Sequence, residues 1–427
     1  MTSAKVTRED FLQAIELYRN IGHQKFPAKY KLRKAQHLFL IHEGACFGSK
    51  AILKAARPSA AEKARGFSGT EAAASQLRRL GFDVVDVRDP TGGEIVHSLL
   101  DESLQPGEIK TRPELAKIFG GGLRGGIMPS IGTPTVLIYS DPKIGEELGY
   151  VDGWVPDDEN GLLFEYTGHG LNDQTFAGGG NKAIRDHVTQ GRALRIFKAV
   201  GKVPNSATVL HRYVGRFKLD EQSPIDVRWR ANKAKVMRKV IVFRLRPTGP
   251  FERLDVDCIP PTEKTQAILV PADVTTSSII NPEKNTKKQG SRSAVPELEF
   301  QRREAELDAE FRKFMQAHGH ELMRFELKVR GLAAPMLTDL YDTTAHVLYE
   351  LKGNIGRNAV RMAIGQLMDY RRYVNPPAPA LAILLPEEPH DDIKALLNDL
   401  GIALVYSADG TFIGVPGLGR ETPQLAK

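Results

Sequence analysis

The sequence contains very little cysteine and no long hydrophobic run. Cys46 and Cys258 are its only cysteines and lie far apart, which excludes a disulfide framework and a cysteine-based zinc site. No apolar stretch approaches membrane-spanning length, and the N-terminus, MTSAKVTRED, is too charged for a signal peptide. We therefore expect a soluble protein of a reducing cytoplasm, with no membrane partner.

Charge of one sign is only modestly in excess. The chain has 59 Lys and Arg against 52 Asp and Glu, which gives a net charge of +7 and a pI of about 9.2. This balance favours a polyanionic partner without requiring one. A length of 427 residues is enough for two or three domains with their own cores.

The most informative stretch is PMLTDLYDTTAHVLYELKGNIGRNAVRMAIGQLMDYRRY, residues 335–373. It predicts two short strands joined by a turn, followed by an amphipathic helix. Because side chains alternate along a strand, Glu350 and Lys352 point to the same face. Asp339 lies just before the turn, so its carboxylate is expected beside Glu350. Two converging carboxylates suit Mg²⁺, and a lysine beside the metal can orient a water for phosphodiester hydrolysis.

The series Asp339…Glu350-Leu351-Lys352 resembles the active site of the PD-(D/E)XK nuclease superfamily. The resemblance implies an α/β restriction-endonuclease-like core at residues 298–427. It also implies that Mg²⁺, which Mn²⁺ can replace, is held by the two carboxylates and the Leu351 carbonyl, while Lys352 positions the water. The alternative interpretation is a solvated strand edge with an ordinary Glu350–Lys352 salt bridge.

Two further features extend this resemblance. Gln366 and Tyr370 lie one turn apart on the helix after the lysine, as in the accessory motif of many such nucleases. A glutamate on the first helix of the domain often assists the metal or water in this superfamily. Glu304 is our choice for that role, with Glu306 and Glu310 as competitors. The tripeptide Glu326-Leu327-Lys328 is rejected as the site because no aspartate strand precedes it.

A second informative stretch is GYVDGWVPDDENGLLFEYTGHGLNDQTFAGGGNKAIRDH, followed by several strand-like segments. Its YTG-x-G…GNKA pattern resembles the SRA domain, which binds modified cytosine in DNA after flipping the base out of the duplex. The resemblance implies a PUA-like curved β-barrel over residues 119–271. The alternative is a β-turn with a core tyrosine.

The SRA resemblance also implies roles for single residues. Tyr166 would supply the aromatic face on which the flipped base stacks. Asp157, nine positions earlier, would accept a hydrogen bond from the cytosine amino group, with Asp158 as the fallback. The close-approach loop and the loop that enters the duplex are assigned to Thr167, Gly168, Asn181 and Lys182. Positive charge for clamping phosphates would come, where it faces DNA, from Arg185, Arg192, Arg195, Lys198, Arg212 and Arg216.

Residues 1–115 are predicted to form a mostly helical head. The string Y-x-L…G…SKAI-x-x-A…FSG…L-x-x-LGF resembles the N-terminal head module of some modification-dependent restriction enzymes. Residues 272–297 are polar and predict a linker. The basic residues of the head either contact phosphates or form a solvated face, and they are Lys25, Lys29, Lys31, Arg33, Lys34 and Lys50.

Together these resemblances predict a multidomain α+β endonuclease of the bacterial cytoplasm. It would bind modified cytosine in double-stranded DNA and hydrolyse phosphodiester bonds with Mg²⁺. Cutting both strands requires two catalytic domains, so we expect a homodimer, at least on DNA. The alternatives are a non-catalytic reader of modified DNA and a structure-specific repair nuclease. The sequence does not indicate which modification is bound.

Overall fold

The structure, a computed structural model, describes residues 6–32, 37–56, 70–158, 160–177, 179–272 and 294–418. It divides into two compact units, one comprising Met1–Asp226 and Arg230–Ile259, the other Val227–Trp229 and Pro260–Lys427. Among the described residues, no helix is both long and apolar enough to cross a membrane. Three sequence predictions fall largely outside the described residues: most of the linker, Arg33 with Lys34, and the FSG segment at 67–69.

The first unit begins with helices around a small sheet. The helices are α1 (Arg8–Lys29), α2 (Ser49–Ala56), α3 (Thr70–Arg79) and α4 (Pro90–Glu102). The antiparallel sheet has the order β2-β1-β3 and consists of β1 (Leu38–His42), β2 (Ala45–Gly48) and β3 (Asp83–Asp86). A capping box between Thr7 and Asp10 starts α1 by satisfying free N–H groups of its first turn. The core of this part includes Phe11, Ile15 and Tyr18 of α1.

A β-rich region completes the first unit. Its short helices are α5 (Arg112–Phe119), α6 (Pro142–Glu147), α7 (Gly179–Arg185) and a 3₁₀ turn (Asp255–Asp257). Its strands are β4 (Ile109–Thr111), β5 (Ile127–Pro129), β6 (Thr135–Ser140), β7 (Gly153–Asp158), β8 (Gly161–Thr167), β9 (Ala193–Lys202), β10 (Val209–Leu219), β11 (Ile225–Ala231) and β12 (Met237–Phe251).

These strands form one sheet of order β5-β6-β9-β10-β12-β8-β7, with β4 paired to β10 and β11 to β12. A register shift near Gly215, where φ is +147°, bends β10 against both of its neighbours. Trp154, Phe164 and Phe217 pack together in the core of the sheet, with ring centroids 5.4–5.7 Å apart. The sequence boundary at residue 115 differs from this structure, because β4 pairs with the sheet rather than with the head.

Several arginines of this sheet are buried in polar contacts. Arg195 forms an ion pair with Asp101 of α4 and donates to the Tyr213 hydroxyl at 2.6 Å. Arg216 donates to both carboxylate oxygens of Glu94, at 2.8 and 2.7 Å. Since these guanidinium groups are buried and join α4 to β9 and β10, Arg195 and Arg216 are not among the basic residues that could face DNA phosphates. Arg212 is likewise engaged by Glu252 and Asp257.

The second unit is a mixed sheet with helices. The helices are α8 (Ala294–Ala317), α9 (Arg357–Tyr370) and α10 (Asp391–Asp399). The strands are β13 (Gln266–Pro271), β14 (Leu322–Lys328), β15 (Met336–Leu337), β16 (Leu340–Asp342), β17 (Val347–Leu351), β18 (Ala380–Leu385), β19 (Ala403–Ala408) and β20 (Thr411–Ile413). Strand order is β13-β14-β16-β17-β18-β19-β20, with β15 on β14. β13 pairs with β14, although the sequence boundary at residue 271 assigned it to the preceding domain.

Strand β17 lies inside this sheet and is buried on both faces. Leu348 belongs to a core with Val360, Ala363 and Leu367 of α9. Val347, Tyr349 and Leu351 pack on the other side with Leu307 and Phe311 of α8. The parallel β17–β18–β19 arrangement places these helices against the sheet as in other α/β proteins.

Gly191 provides a test of how the β-rich region meets β3 and α4. Its φ is +62°, and a Cβ atom there would lie 2.1 Å from the Val87 carbonyl oxygen. We expect Gly191→Ala to lower the free energy of unfolding by about 2 kcal/mol or more, because strain and overlap add. Gly201→Ala, where nothing lies within 4 Å, should change it by less than about 0.5 kcal/mol. Thermal unfolding of the full chain measures both, and equal stability of the two variants would contradict this packing.

Candidate functional site

Carboxylates and a lysine converge around the end of β17. Asp339 lies between β15 and β16, and its Oδ2 accepts a hydrogen bond from the Leu351 backbone N–H at 2.7 Å. Glu350 is buried, and its Oε1 accepts a hydrogen bond from Nζ of Lys352 at 2.7 Å. The structure thus brings together the Asp, Glu and Lys that the sequence analysis selected. The backbone N–H of Leu351 also fixes the orientation of the Asp339 carboxylate.

Helix α8 adds further carboxylates to this cluster. Oε2 of Glu304 accepts a hydrogen bond from the Gly353 backbone N–H at 3.2 Å, whereas Glu306 and Glu310 are exposed. The first-helix glutamate nearest to the site is therefore Glu304. Asp308, one turn further along α8, was missed by the sequence analysis. It is buried, it accepts hydrogen bonds from Arg312, and its Oδ1 has no hydrogen-bond partner among the described residues.

Burial and mutual repulsion shift the protonation equilibria of these groups. Burial, and then the charge of Asp339, raise the pKa of Glu350 well above its ordinary value. The same two causes raise the pKa of Glu304 to about 7. Burial alone would lower the pKa of Lys352, but the charges of Glu350 and Asp339 outweigh it, so this pKa is raised. The cluster has more carboxyl groups than its one lysine could balance if all were ionised, and either a proton or a bound cation would relieve this repulsion.

Oxygen atoms without hydrogen-bond partners are a second indication that the cluster could bind a cation. Oε2 of Glu350 and Oε1 of Gln366 are buried and have no hydrogen-bond partner among the described residues. Nε2 of Gln366 is 3.5 Å from the Tyr370 hydroxyl, a weak contact at best. Burial, and then the Glu350 charge, raise the pKa of Tyr370 to about 12. Oxygen ligands of this kind fit Mg²⁺, which is commonly held by one or two carboxylates together with waters.

A second group with metal-binding potential lies in the head. Within the described part of the chain, one set of three His, Cys, Asp or Glu residues has its ligand atoms all within 4.8 Å of one another, namely His37, Glu71 and Asp86. Arg88 already donates to both carboxylate oxygens of Asp86, at distances of 2.6–3.2 Å. Asp339, Glu350 and Glu304 do not form such a set, so their ligand atoms do not all lie within 4.8 Å of one another.

In the first unit, the YTG sequence ends β8 close to the carboxyl group of the half-buried Asp152. Oδ1 of Asp152 accepts a hydrogen bond from the Thr167 backbone N–H at 2.8 Å. Burial raises the pKa of Asp152, although this hydrogen bond opposes the shift. Tyr166 is only 4% exposed and its hydroxyl donates to the Tyr139 carbonyl at 3.4 Å. The half-buried Tyr150 is the more accessible ring near Thr167.

The structure does not bring Asp157 to Tyr166. The β7–β8 register pairs Gly153 with Glu165 and Trp154 with Phe164, so the residue opposite Tyr166 is Asp152. At about 3.3 Å per residue, Asp157 lies roughly 15 Å further along β7. Its exposed carboxylate accepts a hydrogen bond from Arg253 at 2.7 Å. The fallback residue, Asp158, is bound by Arg246 and Arg244.

The glycines and the GNKA segment have different roles. Gly168 follows Thr167 directly, and a Cβ atom there would lie 2.8 Å from Oε1 of Gln174. Asn181 is buried, and its side chain bonds to the backbone N–H and carbonyl of His169. A residue so enclosed cannot enter a DNA duplex, which the sequence analysis had assigned to it. Lys182, its neighbour, is exposed.

The raised pKa of Glu304 predicts how its removal affects stability. A carboxyl group with a pKa of about 7 in the folded protein and about 4.3 when unfolded binds more protons when folded. Its penalty is therefore absent at low pH, grows as pH rises through this window, and is complete above pH 7. In metal-free buffer, Glu304→Gln should stabilise the protein by about 2 kcal/mol at pH 8 and by clearly less at pH 5. Calorimetric unfolding measures this, and an equal effect at both pH values would contradict the prediction.

Comparisons with known proteins identify two parts of the chain. Residues 106–256 match the family model described as the ScoMcrA-like SRA domain, and residues 4–86 match the ScoMcrA-like N-terminal head domain. No curated protein matches the sequence.

Solved structures with similarity to this chain include two of ScoMcrA. One is the type IV phosphorothioation-dependent restriction endonuclease ScoMcrA, with 21% sequence identity and a TM-score of 0.27. That match covers 58% of this chain and 66% of the ScoMcrA chain. Another is the sulfur-binding domain and SRA domain of ScoMcrA complexed with phosphorothioated DNA, at 23% identity, 51% and 60% coverage and a TM-score of 0.28. The DNA recognition domain of the cytosine modification-dependent restriction endonuclease LpnPI matches at 14% identity, 34% and 71% coverage and a TM-score of 0.24.

The chain spans just under two thirds of the length of the first of these structures and 60% of the second. The predicted SRA and head resemblances are confirmed by the two family models. This chain therefore carries a ScoMcrA-like head domain followed by a ScoMcrA-like SRA domain.

Proposed function

We propose that this chain is a modification-dependent DNA endonuclease. Its SRA domain would bind a modified cytosine flipped out of double-stranded DNA, and its second unit would hydrolyse phosphodiester bonds with Mg²⁺. The observation that supports hydrolysis most directly is the Asp339–Glu350–Lys352 cluster, with Glu304 beside it. Cutting both strands requires two such clusters, so we propose that the active form on DNA is a homodimer.

The donor set fits a hard cation. Asp339 and Glu350 would hold Mg²⁺ together with the Leu351 carbonyl, and the Glu350 oxygen without a partner would gain one. Bound Mg²⁺ would supply Lewis-acid stabilisation of the charge that develops on the phosphoryl oxygens. Mn²⁺ has similar ligand preferences and would substitute.

The protein's own groups would orient the reaction. Lys352 carries a positive charge, since its pKa is raised, so it would position the attacking water and offset charge on the phosphate rather than act as a base. Glu304, with a pKa of about 7, is matched to accepting a proton from that water near neutral pH. Gln366 has an unpaired carbonyl oxygen with which it would hold the water in place.

Recognition of the base would centre on Asp152 rather than Asp157. Asp152 lies beside Thr167 and is partly buried. A hydrogen bond from the cytosine amino group to this carboxylate would be shielded from water, and a shielded hydrogen bond discriminates most strongly between cytosine and other bases. Tyr150 offers the more accessible ring for stacking, while Tyr166 would form the inner wall of the pocket. Extruding a base costs a few kcal/mol, which these contacts must offset.

Cleavage tests the nuclease part of the proposal. Lys352→Ala should reduce Mg²⁺-dependent cleavage of modified DNA by about 100-fold or more, because the charge beside the reacting phosphate is lost. Binding of the same DNA should be unchanged. Lys328→Ala, in the second Glu-Leu-Lys tripeptide, is the matched control and should retain cleavage.

Substrates for this assay are matched duplexes with cytosine, 5-methylcytosine or 5-hydroxymethylcytosine. Equal cleavage of all three would favour a structure-specific nuclease. Tight binding of one modified duplex without any cleavage by the wild type would favour a non-catalytic reader. Full activity of Lys352→Ala would exclude this cluster as the active site.

Binding tests the recognition part of the proposal. Asp152→Ala should reduce the preference for modified over unmodified duplex by about 10-fold or more, because the flipped base loses a buried hydrogen-bond acceptor. Asp157→Ala removes only an exposed ion pair and should leave the preference within about 2-fold. Fluorescence anisotropy with the Lys352→Ala protein avoids cleavage during the measurement. The reverse ranking of the two variants would restore Asp157 as the base-binding carboxylate.

A further inference from the structure

The loop after the YTG sequence presents a leucine to solvent. Leu171 is 67% exposed, and its neighbours Asn172 and Asp173 are also exposed. Single exposed apolar side chains are common on proteins and need no explanation by themselves. What distinguishes Leu171 is the way in which its backbone is held.

Polar side chains fix both flanks of Leu171. On one side, the Gly170 carbonyl accepts hydrogen bonds from the Tyr150 hydroxyl at 2.7 Å and from Nη1 of Arg238 at 2.8 Å. On the other side, the backbone at Gln174 is held in place, because its N–H donates to the Lys239 carbonyl at 3.0 Å.

Further buried amides tie the start of the loop to the end of β8 and to α7. Nε2 of Gln174 donates to the Gly168 carbonyl at 2.7 Å, and Nδ2 of Asn181 donates to the His169 carbonyl at 2.9 Å. Both amide side chains are buried, as is Arg238. The loop therefore holds Leu171 out in water on a backbone with little freedom to fold it back onto the core.

The position of this leucine relates it to the candidate base pocket. Gly168 directly follows Thr167, whose backbone N–H binds Asp152. Two successive residues connect the pocket to the leucine loop. The Tyr150 hydroxyl donates to the Gly170 carbonyl, and the backbone N–H of Val151 donates to the Thr167 hydroxyl at 3.3 Å. Exposed Lys182, on the helix that anchors the loop, adds positive charge nearby.

We propose that Leu171 is the wedge that fills the gap in the duplex when the modified base leaves the stack. The inference rests on the proposed function, because a wedge is needed only if a base is extruded. The gap is bounded above and below by the apolar faces of base pairs, and proteins that unstack DNA commonly insert a leucine or similar side chain there. Asn181 is buried and Lys182 is too polar to replace stacking, so neither fills this role.

A duplex with one 5-methylcytosine and 2-aminopurine as its 3′ neighbour reports the event, because 2-aminopurine brightens when it is unstacked. We expect the wild type to raise the fluorescence on binding. Leu171→Ser should at least halve that rise and weaken binding by about 10-fold, because the gap stays unfilled. Leu171→Met should retain both, since methionine is apolar and of similar size.

A second duplex distinguishes a leucine that fills the gap from a leucine that only contacts the DNA. Placing the 5-methylcytosine opposite a mismatched base lowers the cost of extrusion, so Leu171→Ser should bind this duplex within about 3-fold of the wild type. Val188→Ser is the control for loss of an exposed apolar side chain. Val188 is 64% exposed and lies between α7 and β9, outside the loop that carries Leu171.

Four outcomes would overturn the inference. Unchanged fluorescence and binding by Leu171→Ser would show that no wedge acts at this position. An equal loss of binding on the matched and the mismatched duplex would show that Leu171 only contributes a contact or supports the loop. A wild type that binds modified and unmodified duplexes equally would overturn the proposed function, and the wedge with it. Loss of the signal in Leu123→Ser instead would assign the wedge to the Gly120–Gly126 loop.

Discussion

The burial of a carboxylate inside an apolar sheet is the constraint on which the second unit depends. Glu350 lies on β17 between two hydrophobic cores, each closed by a helix. An ionised carboxylate in such a place is tolerated only when charge and hydrogen bonds compensate it. Lys352 supplies part of the compensation, and Asp339 adds negative charge that one ammonium group does not balance. The cluster is therefore not a balanced ion pair, and this imbalance is the basis on which we propose a bound cation.

The first unit uses buried charge in the opposite way. Arg195 and Arg216 are enclosed, and each meets acidic partners on α4. Their positive charges are neutralised by the acidic residues with which they join a helix to a sheet. The number of basic residues in this region is therefore larger than the number that could contact DNA. Net charge predicts a polyanionic partner only to the extent that the basic groups remain on the surface. Lys182 meets that condition, and the buried arginines do not.

Sequence patterns predicted those features that depend on local periodicity. Alternation along β17 placed Glu350 and Lys352 together, and the 3.6-residue spacing predicted the amphipathic helix α9, which buries Val360, Ala363 and Leu367. Asp308 escaped notice because nothing in the sequence marks one acidic residue of a charged helix as buried. Arg195 was misinterpreted for the same reason. Both cases depend on what packs against a side chain, and that information is distributed over elements distant in the chain.

Pairing across a hairpin explains why Asp157 does not lie beside Tyr166. Counting residues back from Tyr166 measures distance along the chain, whereas an antiparallel hairpin brings together residues at equal distances from its turn. The turn lies between Asp158 and Gly161, which pair with each other, and a one-residue register shift between Val155 and Asp158 then places residue 152 opposite residue 166. The turn sequence DDENG was visible as a turn signal. When two polar residues of one strand are both candidates for a site on the neighbouring strand, pairing across the hairpin is therefore a better guide than the number of residues that separates them along the chain.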